Sequence, residues 1–461
     1  MTATNNTQNN SIDLSWLEQY HHITVIGLGM SGMGVITKLT SHAVQLHVQD
    51  SRENPAGLDE LKSNKYVQSI HTGSFNLEGI LASDLLIMSP GVSLQTAEIQ
   101  QAIAVGVEIS SDVDIVTRSS SVPIIAITGS NGKSTVTQLA GELCKAAGYK
   151  TFIGGNIGRS VMELLNDAAG YEVAVIELSS FQLEITPQLN ALSSVILNLS
   201  PDHLDRYKNY QEYANSKLAV YNNSQRCVWN REDEWLQGVE YFSAKKNVVS
   251  FGVQSPKNET EFGIVDEQGE RFFAKGQQKV CSIQQCNLIG THNHLNVLAA
   301  LALLSDFNIK PTTVEFVLKS FQGLEHRMQK VRERKGVCWV NDSKATNVGA
   351  TTSAIEGLHT PTVLIAGGQG KGAEFETLLP AMKRYVKRAY IYGEDASEMY
   401  EHWHKDIDVI LVDSLEVAVQ EANQFVQSGD TVLLSPACAS FDMFDSFVSR
   451  GERFIELVNA L

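Results

Sequence analysis

The chain has no long apolar run: none of its 461 residues lies in a stretch near the ~18–20 apolar side chains that cross a bilayer, so no membrane insertion is expected. Positive charge is also short. With 36 Lys and Arg against 52 Asp and Glu, the formal net charge is −16, which repels nucleic acid and anionic lipid surfaces. Cys144, Cys227, Cys281, Cys286, Cys338 and Cys438 include no Cys-x-x-Cys pair, so neither a disulfide framework nor a structural zinc site is indicated. Reduced thiols in the cytoplasm fit this pattern. No signal segment, internal repeat or extended low-complexity tract is found; Met1 to Asn10 is polar and Asn-rich, and is expected to fray. A 43% hydrophobic content supports a large core, and at ~100–200 residues per domain the length predicts two to four domains.

The most informative stretch is Ala126-Ile127-Thr128-Gly129-Ser130-Asn131-Gly132-Lys133-Ser134-Thr135, between the apolar run Val122 to Ile125 and a helical pattern through Leu139, Ala140 and Leu143. A strand, a glycine turn and a helix start in that order can surround phosphate oxygens with backbone N–H groups. The lysine neutralises charge and a hydroxyl reaches Mg²⁺. An ATP site is therefore expected, although Ile127 stands where the usual motif has its first glycine.

Nearer the N-terminus, a strand from His22 opens Gly27-Leu28-Gly29-Met30-Ser31-Gly32, and a second strand, Val44 to Val48, ends at Asp50. That spacing suits a dinucleotide and would by itself suggest NAD, but the same turn holds any diphosphate. Asp84 to Gly91 reads as a strand and turn and Ile99 to Val105 as a helix, with a domain boundary before the polar step Thr117 to Ser121. In the middle segment, Val173 to Ile176 ends in Glu177, and Ser194 to Leu197 leads through Asn198 to Pro201-Asp202-His203-Leu204-Asp205-Arg206. Ligands gather at the carboxyl ends of parallel strands, so Glu177, His203 and the phosphate loop are expected to converge as an Mg²⁺ shell. Arg226 to Val280 reads as a small β-rich insert, and Gly290 to Asn296 as a loop before a helix Val297 to Leu304. A last alternation, with strands Val337–Val340, Val363–Ala366, Ala389–Ile391, Val409–Val412 and Val432–Leu434, predicts another α/β sheet. Its loops carry Asn341 to Asn347, Gly367 to Gly372 and Ser435 to Phe441; Cys438 has no partner base and reads as inert.

These motifs, with Glu177 to Glu184, Asp202 to Tyr207 and Ser435 to Phe447, resemble the Mur ligases over nearly the whole chain. The absence of an Asp-Asn-Pro-Arg motif favours the D-glutamate-adding branch. The resemblance implies an α/β protein of three domains. These are an N-terminal Rossmann-like UDP-substrate domain (1–111), a central P-loop ATPase-like domain with the β-rich insert (112–323), and a C-terminal Rossmann-like domain for D-glutamate (324–461). It implies a cytoplasmic, monomeric, ATP-dependent enzyme of peptidoglycan precursor synthesis that acts on UDP-N-acetylmuramoyl-L-alanine and D-glutamate. The carboxylate would be activated as an acyl phosphate.

By the same resemblance, Gly129, Ser130, Asn131, Gly132, Lys133, Ser134 and Thr135 serve the ATP phosphates, Asn293 and Asn296 approach adenine, and Arg327, Asp342 and Lys344 line the rest of ATP. Lys133, Glu177, His203 and Lys217 are the implied catalytic set, and Ser134, Glu177, His203 and Lys217 the implied Mg²⁺ ligands. Asn156 and His203 would lie by the reacting carboxylate. Gly29, Met30, Ser31, Asp50, Ser51, Arg52, Ser89, Pro90 and Gly91 would hold the UDP sugar, and Thr346, Lys371, Ser440 and Phe447 the D-glutamate. Lys217 reads locally as a surface lysine; the resemblance implies a carbamate on it that serves a second Mg²⁺. An amine of pKa ~10.4 is neutral in roughly one molecule in 2,500 at pH 7, so the site must lower its pKa or trap the carbamate on metal, and trapping is the expected route. Competing readings are a folylpolyglutamate-type ligase, an NAD-dependent oxidoreductase and a non-catalytic nucleotide sensor. The first needs no extra N-terminal nucleotide domain, the second leaves the phosphate loop unexplained, and the third does not need Lys217, Glu177 and His203 together.

Overall fold

The computed structural model describes residues 12–461 except 167–169, 204–205, 239–241, 243–246 and 289. The polar tail Met1 to Asn10, and Leu204 and Asp205 of the acidic motif, lie outside the described residues. Three sheets follow one another along the chain. β1 (Ile23–Ile26), β2 (Leu46–Asp50), β3 (Val67–Thr72), β4 (Leu85–Met88) and β5 (Glu108–Ser110) form the first, in the order β3-β2-β1-β4-β5 with every pair parallel. Parallel pairing demands crossovers, which helices such as Met30–Ser41 supply. They cover both faces, and β1 and β4 are accordingly buried throughout and apolar except for Thr24, whose hydroxyl bonds Ser83 Oγ at 2.7 Å. The strand order reverses at β1 and β4, where such sheets open a crevice at their carboxyl edge.

The second sheet contains β6 (Ile124–Thr128), β7 (Thr151–Gly155), β8 (Val173–Glu177), β9 (Ser193–Ile196), β10 (Cys227–Asn230), β11 (Val248–Phe251), β12 (Glu261–Glu267), β13 (Glu270–Lys275) and β14 (Gln278–Ser282). Its order is β14-β13-β12-β11-β10-β9-β6-β8-β7, parallel from β7 to β12 and antiparallel through β13 and β14. The small β-rich insert expected from Arg226 to Val280 is present, with one correction to its setting: β10 to β14 extend the central sheet. Cys227 and Val228 are buried and sit in register with Ser194 and Val195, so the strand adds to β9. The turn at Asp266 to Gly269 only joins β12 to β13. A second correction concerns Asn293 and Asn296, which lie within the helix Thr291–Leu303, capped by Gly290, and not in a loop before it.

β15 (Gln329–Arg334), β16 (Val337–Asn341), β17 (Thr362–Gly367), β18 (Val386–Tyr392), β19 (Val409–Leu411) and β20 (Thr431–Leu434) make the third sheet, ordered β15-β16-β20-β17-β18-β19 and parallel except at β15. The cores are not distributed one per sheet. A single cluster runs from Leu17, Val25 and Leu39 under the first sheet to Phe152, Leu164 and Leu236 under the second. The third sheet packs its two faces with its own residues, around Trp403 and Phe375 on one side and Trp339 and Phe454 on the other.

Candidate active site

The phosphate-loop geometry explains the missing glycine. Ile127 is a fully buried strand residue, in register with Glu177 on β8 and Val195 on β9, so the turn proper begins only at Gly129. Gly129 (φ +149°) and Gly132 (φ +84°) have left-handed backbones with no room for a side chain: a Cβ would stand 3.0 Å from Leu197 Cβ at the first and 2.5 Å from Asn296 Oδ1 at the second. Lys133 opens the helix Lys133–Ala146, and its ammonium donates to the carbonyls of Gly129 and Ser130, each at 2.9 Å. Burial lowers its pKa while Glu177 pulls the other way. The loop is braced from β9: the Asn198 amide bonds Asn131 in both directions (2.8 and 3.0 Å), and Ser130 Oγ accepts from Ser200 N at 2.9 Å and meets the Tyr213 hydroxyl at 2.9 Å. Ser134 and Thr135 are buried in the first helical turn.

At the same sheet edge β8 delivers Glu177, which is buried. Its Oε1 accepts from Asn156 Nδ2 at 3.1 Å, while Oε2 has no hydrogen-bond partner among the described residues. A buried carboxylate oxygen left unpaired costs free energy unless something electropositive reaches it. Lys217, in the helix Tyr210–Leu218, is buried with Nζ 3.4 Å from Thr128 Oγ1, behind the loop and 4.9 Å from the Tyr213 ring centre. Burial first, and the Lys133 charge second, hold its pKa well below the ordinary lysine range. The lowering route to a neutral amine, passed over in favour of metal trapping above, is thus present. His203 has a left-handed backbone (φ +54°) and an exposed ring, edge-on to Phe181 at 4.8 Å. Among the described residues no three His, Cys, Asp or Glu side chains form a ready metal cage. The expected ligand set therefore leans on Ser134 and Lys217, which are neither acids nor imidazoles.

Between the second and third sheets lies a cavity of about 430 Å³ lined by Gly132, Thr135, Asn293, Asn296, Arg327 and Asp342, among others. Asn296 Nδ2 donates to Asn293 Oδ1 at 3.1 Å. Arg327 reaches across to Ser134 Oγ at 3.4 Å, its Nε buried without a partner among the described residues. Burial lowers its pKa. Asp342 accepts from Ser435 Oγ (2.9 Å) and Met328 N (3.2 Å), and burial pushes its pKa up to about 7. Lys344 sits 5.0 Å from the Phe447 ring centre; burial and the Arg327 charge bring it down to about 8.

In the first-sheet crevice, Gly27 (φ +89°) packs so closely that a Cβ would meet Ser89 Cβ at 2.9 Å, and a Cβ on Gly29 would meet Ser89 Oγ at 3.4 Å, so the glycine turn lies against Ser89. Asp50 is buried and engaged by the protein itself: Oδ2 accepts from Leu28 N (2.7 Å) and Arg52 Nη2 (2.7 Å), and Oδ1 from the Arg52 backbone. Burial raises its pKa, but these bonds outweigh that and leave it lowered. Ser51 and Arg52 are exposed. In the third domain, Lys371 is exposed, 5.8 Å from the Phe441 ring, and the Gly367 to Gly372 loop pairs through Gln369 with Ala439, next to buried Ser440. Thr346 is exposed, with its amide bonded back to Lys344.

Three residues matter here that sequence reasoning gave no role. Asn198 braces the loop as described. Arg450, fully buried, donates to Ser343 O (2.8 Å), Cys438 O (3.1 Å) and Gly367 O (3.3 Å), drawing the three C-terminal loops together. Arg206 joins the first and second domains by donating to Pro90 O at 2.9 Å. It lies within the acidic motif, which was the only signal for it.

Three family descriptions match successive parts of the chain: "Mur ligase MurD-like, N-terminal domain" at residues 21–111, "Mur ligase middle domain" at 127–304, and "Mur ligase, glutamate ligase domain" at 326–438. A protein of Pseudoalteromonas translucida named UDP-N-acetylmuramoylalanine--D-glutamate ligase is 41% identical over 444 residues, covering 95% of this chain and 97% of its own length. Among solved structures, a pseudomurein peptide ligase type C from Methanothermus fervidus superposes with a TM-score of 0.61 at 18% identity, covering 95% of this chain and 99% of its own. A MurF ligase from Thermotoga maritima in complex with ADP gives 0.56 at 15% identity, covering 99% of each chain. The two structures support the fold.

Proposed function

Because the chain belongs to the Mur ligase family, we propose that it joins D-glutamate to UDP-N-acetylmuramoyl-L-alanine at the expense of ATP, in the synthesis of peptidoglycan precursors. The observation that carries this reading is the meeting of Lys133, Glu177, Asn156 and Lys217 at one sheet edge, beside a cavity completed by Arg327 and Asp342 from the C-terminal segment. The glycine turn at the first-sheet crevice suits the diphosphate of a UDP sugar, and the match at 21–111 disfavours a folylpolyglutamate-type enzyme. The domains are assigned as 1–111 for the sugar nucleotide, 112–323 for ATP and 324–461 for the amino acid.

The chemistry is two displacements. A carboxylate oxygen of the L-alanyl group attacks the γ-phosphorus of ATP and ADP leaves; the D-glutamate amine then attacks the acyl carbon, phosphate leaves and the amine gives up a proton. Lys133 holds the transferred phosphoryl oxygens once it exchanges the Gly129 and Ser130 carbonyls for them, and helix amides add partial positive charge. Asn156 orients the reacting carboxylate beside Glu177. Arg327 and Asp342 close the nucleotide pocket and keep water from the acyl phosphate. The donor set fits Mg²⁺: the unpaired Oε2 of Glu177, Ser134, His203 and, once carbamylated, Lys217 supply oxygen or imidazole ligands. The ion would supply charge neutralisation at the phosphoryl oxygens. Lys371, Thr346, Ser440 and Phe447 form the amino-acid pocket, with Lys371 opposing a D-glutamate carboxylate.

The test is ATP-dependent phosphate release with UDP-N-acetylmuramoyl-L-alanine, offering D-glutamate, L-glutamate, lysine and diaminopimelate in turn. Release with D-glutamate alone is expected. Release with another amino acid, or without the sugar nucleotide, refutes the assignment.

A further inference from the structure

We propose that Arg206 is a positioning residue that couples the seating of the first-domain loop Ser89 to Gly91 to the placement of His203. The inference rests on the ligase reading above, in which that loop holds the sugar nucleotide and His203 attends its carboxylate. The contacts form a continuous chain. Arg206 Nη1 donates to Pro90 O at 2.9 Å, and its Nη2 lies 3.4 Å from Glu184 Oε2. The guanidinium carbon stands 3.8 Å from the Phe181 ring centre, and His203 meets the same ring edge-on at 4.8 Å, with Tyr207 stacked on it at 6.1 Å. The backbone is engaged as well: the amides of Arg206 and Tyr207 both donate to His203 O, at 2.9 and 3.1 Å, closing the turn that keeps His203 left-handed. An L-residue does not hold that conformation unless its surroundings impose it.

Two features separate this from a plain domain staple. Arg206 Nε is buried and unpartnered among the described residues, so the fork is held in place by its flat stack and its reach to Pro90 at the expense of full hydrogen bonding. The stack also requires planarity, which arginine has and lysine lacks. A shift of the Pro90 loop must therefore move the guanidinium, the Phe181 ring beneath it, and with them His203.

The experiment uses the full-length enzyme and variants Arg206→Lys, Arg206→Met, His203→Ala and Arg206→Met/His203→Ala. KM for the sugar nucleotide, kcat, ADP affinity and melting temperature are measured for each. Lysine keeps a donor for Pro90 O but no stack, so Arg206→Lys is expected to hold KM within about 2-fold while kcat falls. Arg206→Met should raise KM and lower kcat, each by about 10-fold or more, the usual scale for a lost charge-assisted bond. ADP affinity should stay unchanged in the two single Arg206 variants. If Arg206 acts through His203, the double variant turns over within about 3-fold of His203→Ala alone. Multiplying losses in the double variant, or lysine and methionine variants that alter only the melting temperature, would overturn the coupling. Wild-type enzyme that makes no product with D-glutamate would overturn the ligase reading and the coupling with it; wild-type turnover confines any failure to the coupling.

Discussion

Gly132→Ala tests whether the glycine loop and the helix Thr291–Leu303 form one fitted unit. Gly132 has φ +84°, and an alanine there bears a left-handed penalty of ~1–2 kcal/mol. Its Cβ would also come 2.5 Å from Asn296 Oδ1, a distance no real contact sustains, so Asn296 must move and its 3.1 Å bond to Asn293 must break or bend. Both asparagines line the nucleotide cavity. If the displaced Asn296 loses one hydrogen bond to a bound nucleotide, worth ~0.5–1.5 kcal/mol, ADP binding weakens about 2- to 12-fold. Gly148 is the control: its φ is +97° but a Cβ would meet nothing within 4 Å, so Gly148→Ala carries the backbone strain without the collision. Calorimetric titration with ADP and thermal denaturation of both variants separate the two effects. Both should lose stability, and only Gly132→Ala should lose ADP affinity. Equal ADP affinity in the two would refute the fitted-unit argument, and wild-type stability in both would refute the strain argument.

Lys217→Ala should abolish phosphate release by about 100-fold or more, the scale of a lost transition-state charge contact, and full activity with Mg²⁺ present would disprove the carbamate role. Lys344 has its pKa lowered to about 8, so its charge is present below that pH and fades above it; ADP affinity should fall between pH 7 and 9, and titrations with Lys344→Met should show a flatter profile. Asp342 has its folded pKa raised to about 7 against an ordinary 3.8, so the folded state holds the extra proton between those values. Its contribution to stability is complete below about pH 4 and is lost as pH rises through 7. Denaturation of Asp342→Asn across that window should show a weaker pH slope than wild type. The third domain is expected to swing, since substrates must enter between it and the second sheet. Small-angle scattering with and without ATP analogue and sugar nucleotide should register a change in radius, and an unchanged radius would count against it.

Most strands that are buried on both faces were legible as apolar runs, which is why β1, β4, β6, β8, β17 and β20 fall near their expected places. β15 was missed because its sequence, Gln329 to Arg334, is an edge strand dominated by charge, which protects an open edge but hides the strand. β10 to β14 were seen as short strands but not as part of the central sheet, because the parallel pairing of β10 to β12 that joins them to β9 leaves no local mark. The same division holds in the site. Glu177 ends β8, Lys133 opens the helix after the loop that follows β6, and His203 lies in the segment after β9, all inside recognisable motifs. Arg206 and Arg450 take their meaning from partners 116 and 107 residues away, Pro90 and Ser343, and a lone arginine looks the same in sequence whether it is solvated or spans a domain interface.

The core that continues from beneath the first sheet to beneath the second has a consequence for dissecting the molecule. A cut near residue 111 would strand Leu39 from Val113, Phe152 and Leu164 and bare apolar surface on both fragments. A cut near residue 324 leaves every large cluster whole, because the clusters of the third sheet draw nothing from the other two. As an engineering object the chain is a two-part machine: a fused body made of the first two sheets, and a detachable head built on the third.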